Sequence, residues 1–154
     1  MGRYRSLTWG LAGFSLVELL VLLVVVGVLF SLSLPGFMSY YKSAQVRAAA
    51  SVIAAYLNQG RQLAIQQNQR VCVHIASTAL HYAQGSCAGT VWVGPGTDAS
   101  GNIPAPGGIT LTTTADPVFS NLGAAAPAAT VTVTHGSASL SVIVSASGRV
   151  IVGR

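Results

Sequence analysis

The chain has 154 residues, only 7% of them charged, and a formal net charge of +5. This length predicts one small domain besides any membrane segment. The positive charge reflects scarce acids rather than a cluster of Lys and Arg, so it is poor evidence for nucleic-acid binding. A positive mean hydropathy is unusual for a freely soluble cytosolic protein.

The N-terminal region predicts a membrane span. Residues 1–13 carry Arg3 and Arg5 and no acid, and the positive-inside rule keeps this end in the cytoplasm. An apolar segment, residues 14–34, follows with Glu18 as its single charge. As a helix it would cover about 30 Å, the hydrocarbon thickness of a bilayer. It is too long for the core of a cleaved secretory signal, so the sequence favours a single-pass protein with its C-terminal part outside.

A second helical stretch is predicted beyond the apolar segment. Pro35 and Gly36 are expected to break or kink the helix. Residues 38–67 have helical character again, with apolar side chains at spacings of three and four. The stripe consists of Val46, Ala49, Ala50, Ile53, Tyr56, Leu57, Gly60, Leu63 and Ala64. Such a stripe predicts an amphipathic helix that packs on the sheet that follows.

The rest of the chain predicts strands, because the pattern changes to a period of two after Asn68. The predicted strands are 70–76, 80–83, 91–93, 109–113, 130–134, 140–144 and 149–152. Residues 94–108 are expected to form a long loop, and 115–129 a connection. The predicted fold class is α+β, a long N-terminal helix packed on a small antiparallel sheet domain.

Two cysteines, Cys72 and Cys87, are present. Outside the cytoplasm they predict one disulfide, which would stabilise the fold by about 3 kcal/mol. The alternative is two unlinked small core residues.

The start of the apolar segment resembles a known family signal. The sequence Gly13-Phe14-Ser15-Leu16-Val17-Glu18 is similar to the class III signal of type IV pilins and pseudopilins. The resemblance implies that a membrane prepilin peptidase cuts after Gly13 and that Phe14 becomes the N-methylated mature N-terminus. Glu18 is then the acidic fifth residue, and Pro35 lies where this family commonly has a helix-kinking proline.

Glu18 also has a physical rationale in such a protein. A carboxylate near the centre of a bilayer costs about 2.5–3.5 kcal/mol or more. In a filament of bundled helices, the amino terminus of a neighbouring subunit's Phe14 would neutralise it. Glu18 is therefore expected to set the register of assembly rather than to catalyse a reaction.

The expected organisation follows the pilin fold. A leader peptide covers residues 1–13, a transmembrane and assembly helix 14–35, and the amphipathic half of the helix 36–68. Residues 69–154 form a β-rich periplasmic or extracellular domain. The expected location is the inner membrane, and then a pilus or pseudopilus.

The later chain resembles the GspH/FimT group of minor pilins and pseudopilins. A helix end at 61–68 runs into strand 71–75, a Trp-containing strand at 89–93 precedes a turn-rich segment, and residues 147–150 open the final strand. The resemblance implies a structural subunit of a type IV pilus or a type II secretion pseudopilus, near the tip. Its expected partners are the prepilin peptidase, other pilins and the inner-membrane assembly platform.

DNA binding is the alternative function. Some minor pilins of this group bind DNA through a C-terminal Gly-Arg-x-Arg motif. Gly148 and Arg149 match its start, but Ile151 stands where the second Arg is expected, and Arg154 lies further along. The two arginines could contact phosphates. Otherwise Arg149 is a solvated strand end.

The sequence argues against an enzyme, a cofactor or a metal site. His74, His81 and His135 are scattered and show no helical ligand spacing. Asp98 and Asp116 are the only acids beyond the apolar segment. The segment around Asp98 resembles a calcium loop, but one carboxylate is too few. Asp98 is expected to stabilise a turn through its own backbone.

Overall fold

The computed structural model describes residues 13–153, without the side chains of residues 32–36. The elements are α1 (Leu16–Gln66), β1 (Val71–Ile75), β2 (Ala79–Gln84), β3 (Thr90–Val91), β4 (Asn102–Pro104), β5 (Thr110–Thr113), β6 (Val118–Phe119), β7 (Ala129–His135), β8 (Ala138–Val144) and β9 (Val150–Val152). The predicted α+β class and the long N-terminal helix are confirmed. The chain forms two compact units, Met1–Met38 and Ser39–Arg154, called the N-terminal unit and the β domain.

Some predictions fall on residues that lie outside this description. They are the leader up to residue 12 and the position of Arg154. Helix α1 continues through residues 35 and 36, so the helix does not end at Pro35. The side chain of Pro35 lies outside the described part, and a kink at Pro35 and Gly36 stays a prediction.

The described part of the N-terminal unit, residues 13–38, consists of the first turns of α1 and the three residues before them. All of its described side chains are exposed. Across the part of the chain that the structure describes, no helix has the length and apolarity needed to cross a membrane. The membrane span predicted from the sequence therefore stays a prediction.

The β domain contains two antiparallel sheets where the sequence predicted one. The first has the order β3-β2-β1-β6, with β4 also paired to β2, and the second has the order β5-β7-β8-β9. Strand β7 pairs with β8 over seven residues, from Ala129 opposite Val144 to His135 opposite Ala138. The clean alternation of Thr and Val in β7 places Val131 and Val133 in the core.

The predicted stripe of α1 forms one wall of the core. Val46, Ala49, Ala50, Ile53, Leu57, Gly60 and Ala64 are buried, and Tyr56 and Leu63 are partly buried against the same cluster. Both sheets supply the opposite wall, with Tyr82 and Phe119 as the largest fully buried side chains. The amphipathic half of the helix is therefore packed as the sequence predicted.

The end of α1 is set by Asn68, which has a φ of 51°. Asn tolerates this left-handed conformation better than most residues, and it commonly ends a helix. The N–H of Gln69 donates to the Ala64 carbonyl over 3.1 Å, which satisfies one of the last helical carbonyls. The chain can then enter β1 at Val71 after only a short connection.

Two short strands were missed because a pair or triplet of residues is too short to show a period of two. Strand β4 lies inside the predicted loop 94–108, and β6 lies inside the predicted connection 115–129. Each places one apolar side chain in the core, Ile103 and Phe119 respectively. The predictions of irregular structure were therefore wrong at β4 and β6, where the burial of one apolar side chain holds a short strand in place.

Cys72 and Cys87 form a disulfide, as one of the two predicted alternatives requires. Cys72 lies on β1 and is fully buried, whereas Cys87 lies in the exposed turn after β2. The bond closes a loop with a sequence separation of 15. The disulfide therefore links the turn that follows β2 to strand β1.

Candidate functional site

The apolar segment is the most unusual surface of the molecule. Its large apolar side chains from Phe14 to Phe30 have exposed fractions from 37% at Val26 to 79% at Leu16. They surround the helix instead of forming one stripe. A contiguous apolar surface of this kind marks contact with another protein or with lipid.

The beginning of α1 positions Glu18. The Ser15 carbonyl accepts a hydrogen bond from the Leu19 N–H over 3.1 Å, which starts the helix. Glu18 lies in the first turn, where the helix dipole favours a carboxylate. Glu18 is exposed, and no described residue forms an ion pair with it. The predicted site residues are therefore both exposed, Phe14 two residues before α1 and Glu18 in its first turn.

Gly13 precedes the helix, and nothing in the described fold demands a glycine there. A Cβ at this position would meet no atom within 4 Å. The need for Gly13 is therefore not explained by packing.

Within the β domain, α1 and β1 make a close contact at Gly60. A Cβ there would come within 2.6 Å of Val73 Cγ2, so the helix and β1 approach at a distance that only glycine permits. The Tyr82 hydroxyl donates to the Tyr56 carbonyl over 2.9 Å. Burial, and secondarily Tyr56, raises the pKa of Tyr82, so the phenol stays protonated and remains a donor.

The first residue of the candidate DNA motif, Gly148, has to be a glycine for structural reasons. Gly148 has a φ of 76°, and a Cβ there would overlap the Gly123 carbonyl oxygen. Arg149 is exposed, and its backbone N–H donates to Ser145 Oγ over 3.2 Å. A Cβ on Gly148 would also lie 3.3 Å from Nε of Arg61, an arginine that sequence reasoning did not connect with this turn.

The histidines are not all scattered as the sequence analysis assumed. His74 and His81 stand directly opposite each other in the β1–β2 ladder. His74 Nδ1 lies 2.6 Å from Asp116 Oδ2. The pKa of His81 is lowered, first by burial and then by the His74 charge, with Asp116 opposing. The pairing could have been predicted from the sequence, because a hairpin with its short turn at residues 77 and 78 places positions 74 and 81 opposite each other.

The loop at Asp98 has the predicted local role. Asp98 Oδ1 accepts hydrogen bonds from the backbone N–H groups of Ser100 and Asn102, each over 2.8 Å. Among the described residues, no group of three or more His, Cys, Asp or Glu side chains is placed to hold a metal ion.

The family model described as type II transport protein GspH matches residues 49–148. The chain belongs to the GspH family. The resemblance to the GspH/FimT group of minor pilins and pseudopilins is therefore confirmed. The matched region runs from Ala49, within the amphipathic half of α1, to Gly148 and covers most of the β domain.

Solved structures agree with the GspH assignment at the level of the fold. The type IV minor pilin FimU of Pseudomonas aeruginosa is 14% identical, with a TM-score of 0.57 over 75% of this chain and 92% of that chain. The minor pseudopilin EpsH of the Vibrio cholerae type 2 secretion system is 13% identical, with a TM-score of 0.54 over 70% of this chain and 94% of that chain. No curated protein matches the sequence at a significant level.

The family match leaves the apolar segment to be argued separately. It begins at Ala49 and so excludes Gly13, Phe14 and Glu18. Their roles depend on the motif, the exposure of the segment and the charge at its start.

Proposed function

We propose that this GspH-family protein is a minor pilin or pseudopilin that assembles into a filament through its apolar segment and carries the β domain outward. The observation that supports this most is the exposure of every large apolar side chain from Phe14 to Phe30, with Glu18 as the single charge among them. A subunit built in this way needs apolar partners on all sides of the segment. Its role is structural rather than catalytic.

Glu18 supplies the register of assembly. In a bundle of neighbouring helices its carboxylate meets the amino terminus of another subunit's Phe14. An ion pair in an apolar medium is favourable compared with leaving either charge there alone. Subunits that are shifted along the bundle would leave both charges unpaired, so the pair selects one stagger.

Processing creates that amino terminus. A prepilin peptidase cuts after Gly13, and Phe14 is then methylated. The support is the motif formed by Gly13, Phe14 and Glu18. The intact mass of the protein purified from its native host tests this. A chain that begins with methylated Phe14 is expected, and an uncut chain or a cut elsewhere contradicts the proposal. Gly13→Ala should leave the leader attached.

Before assembly, the protein is held in the inner membrane with its N-terminus in the cytoplasm and the β domain in the periplasm. The support is the composition of residues 14–34 and the basic residues before them. Protease added to the periplasmic side of spheroplasts should digest the β domain. Protection of that domain, or its release by alkaline carbonate, contradicts this location. An inner-membrane assembly platform would receive the subunit there.

The place in the filament is near the tip. A subunit of this kind would be present in few copies, and gold-labelled antibody to the β domain should mark one filament end. Labelling along the whole length contradicts the proposal.

Deletion of the gene, followed by counts of surface pili and of secreted protein, shows whether the protein belongs to the pilus or to the type II secretion pseudopilus.

DNA binding is a second candidate, and it is favoured by the geometry around Gly148. Arg149 is exposed on this turn, and the Arg61 side chain lies against the same glycine. Two arginines at one edge could contact neighbouring phosphates. In a gel shift of the full chain in detergent, Arg149→Ala should weaken binding and reduce its salt dependence. No shift at low salt removes this candidate.

A further inference from the structure

The β1–β2 hairpin carries a pair of histidines on the face turned away from the helix. Val73 and Ile75, which flank His74, are buried, and so are Leu80 and Tyr82, which flank His81. Side chains alternate along a strand, so both imidazoles lie on the opposite face. Their ring centroids are 4.8 Å apart, with an angle of 42° between the planes.

Asp116 holds one of these rings in place. Its Oδ2 lies 2.6 Å from His74 Nδ1, and its Oδ1 accepts the Ile75 N–H over 3.0 Å. The carboxylate is thus fixed to the same strand that carries the histidine. In the neutral ring this contact places the proton on Nδ1 and leaves the lone pair on Nε2. The His74 side chain is 43% exposed and that of Asp116 22%, so the imidazole is accessible while its carboxylate partner is more sheltered.

We propose that His74 and His81 bind one divalent transition-metal ion of the kind that prefers imidazole nitrogen, such as Zn²⁺, Cu²⁺ or Ni²⁺. Zn²⁺–N bonds are about 2.0–2.1 Å, so two nitrogens on one tetrahedral ion are roughly 3.3 Å apart. With the His74 ring held by Asp116, rotation of the His81 side chain about its torsions can bring one of its nitrogens to that spacing from His74 Nε2, because the two ring centroids are only 4.8 Å apart. Nitrogen ligands disfavour Mg²⁺ and Ca²⁺, which prefer oxygen.

Asp116 plays the part of the outer carboxylate in this site. Histidines that bind metals commonly donate their other N–H to a carboxylate, which fixes the ring and makes it more basic. Because no third His, Cys, Asp or Glu among the described residues completes the site, water fills the remaining positions. The ion is therefore exchangeable rather than buried in the fold. It would link β1 to β2 on the same hairpin that the Cys72–Cys87 disulfide closes.

Calorimetric titration of ZnCl₂ into the full chain in detergent tests the site. One equivalent is expected to bind. His74→Gln and His81→Gln should each weaken binding about tenfold or more, and Asp116→Asn by about 10–100-fold as an outer-shell residue. His135→Gln is the matched control, because His135 lies on β7 in the other sheet, with Nδ1 2.6 Å from the Gly108 carbonyl. This control should bind like the wild type.

The spectrum of bound Cu²⁺ gives a readout that a purely structural role would not change. Electron paramagnetic resonance should show two imidazole nitrogens in the wild type and one in His81→Gln. Circular dichroism and thermal melting confirm that each variant is folded. The proposal is overturned if the wild type binds no ion, if one imidazole is seen in the wild type, or if His135→Gln loses as much affinity as the other two. It is equally overturned if folded His74→Gln and His81→Gln bind as the wild type does.

Discussion

Helix α1 contains two apolar regions that the fold treats in opposite ways. In the apolar segment, Leu22 is 53% exposed. In the amphipathic half, Leu57 is completely buried. The two leucines share a helix and a chemical nature. They differ in that the residues around Leu57 repeat with helical spacing, whereas those around Leu22 are apolar on every side.

This difference shows that the spacing of the apolar residues, rather than their number, decides which surface is buried against other parts of the chain. A stripe can be covered by two sheets that lie on one side of a helix. A helix that is apolar on every side needs apolar contacts all around it. The strands of this small domain already pack on the amphipathic half of α1. Small residues on the buried face, such as Ala49, Ala50 and Gly60, bring the backbone close to the sheets. The apolar segment instead presents bulky Leu and Val side chains.

The largest expected effect separates the two regions by function. Glu18→Ala should allow processing and leave the β domain folded, but it should sharply reduce incorporation into filaments. The unpaired Phe14 amine of a neighbour would cost about 3–5 kcal/mol if it were buried alone. That corresponds to roughly a hundredfold or more in the assembly equilibrium. Immunoblots of sheared filaments measure the incorporated fraction.

Glu18→Gln is the matched variant for this experiment, since it keeps the shape of the side chain and removes the charge. Its incorporation should fall as that of Glu18→Ala does. Normal incorporation of either variant would show that the charge has no part in assembly. A large loss of β-domain stability in either would show that the two regions of α1 are not independent.

The next effect uses the two leucines directly. Leu57→Ala should lower the free energy of unfolding of the β domain by about 2–5 kcal/mol, because it leaves a cavity between the helix and the sheets. Leu22→Ala should change it by less than about 0.5 kcal/mol. Chemical denaturation followed by the fluorescence of Trp92, which packs against the core, measures both. Equal effects of the two substitutions would contradict the contrast between the two regions.

The disulfide should stabilise the β domain without affecting the apolar segment. The double variant Cys72→Ala/Cys87→Ala should lower the free energy of unfolding by about 3 kcal/mol, since the bond closes a loop of roughly 15 residues. The wild type treated with reductant should unfold at the same denaturant concentration as this variant. If reductant leaves the wild-type midpoint unchanged, the cysteines do not form this bond in solution.

The regular parts of this fold could be predicted from the sequence because their patterns extend over many residues. The stripe from Val46 to Ala64 spans several turns, and the alternation in β7 spans seven residues. The motif at Gly13 and Glu18 could be found from residue types and spacing alone. The proposed role of this motif in assembly depends on contacts with other subunits, and it is argued from the motif.

Features that depend on tertiary contact were missed. Strand β6 exists because Phe119 is buried and pairs with Val71, and neither fact is encoded in a two-residue pattern. The division of the strands into two sheets could not be predicted either, because the pattern of a single strand does not show which sheet it joins. The contact between His74 and Asp116 joins residues 42 positions apart and follows from the fold.

The smallest expected effect compares two glycines of α1. Gly60→Ala removes a helix-weakening glycine, which alone would stabilise by about 1 kcal/mol. The new Cβ would lie 2.6 Å from Val73 Cγ2, a buried β-branched side chain with little freedom to move. Overpacking of this kind costs about 1–3 kcal/mol, so the β domain should lose about 1 kcal/mol. Gly27→Ala has no atom within 4 Å of its Cβ and should leave the β domain unchanged. A stabilised Gly60→Ala domain would show that α1 and β1 can separate there at no cost.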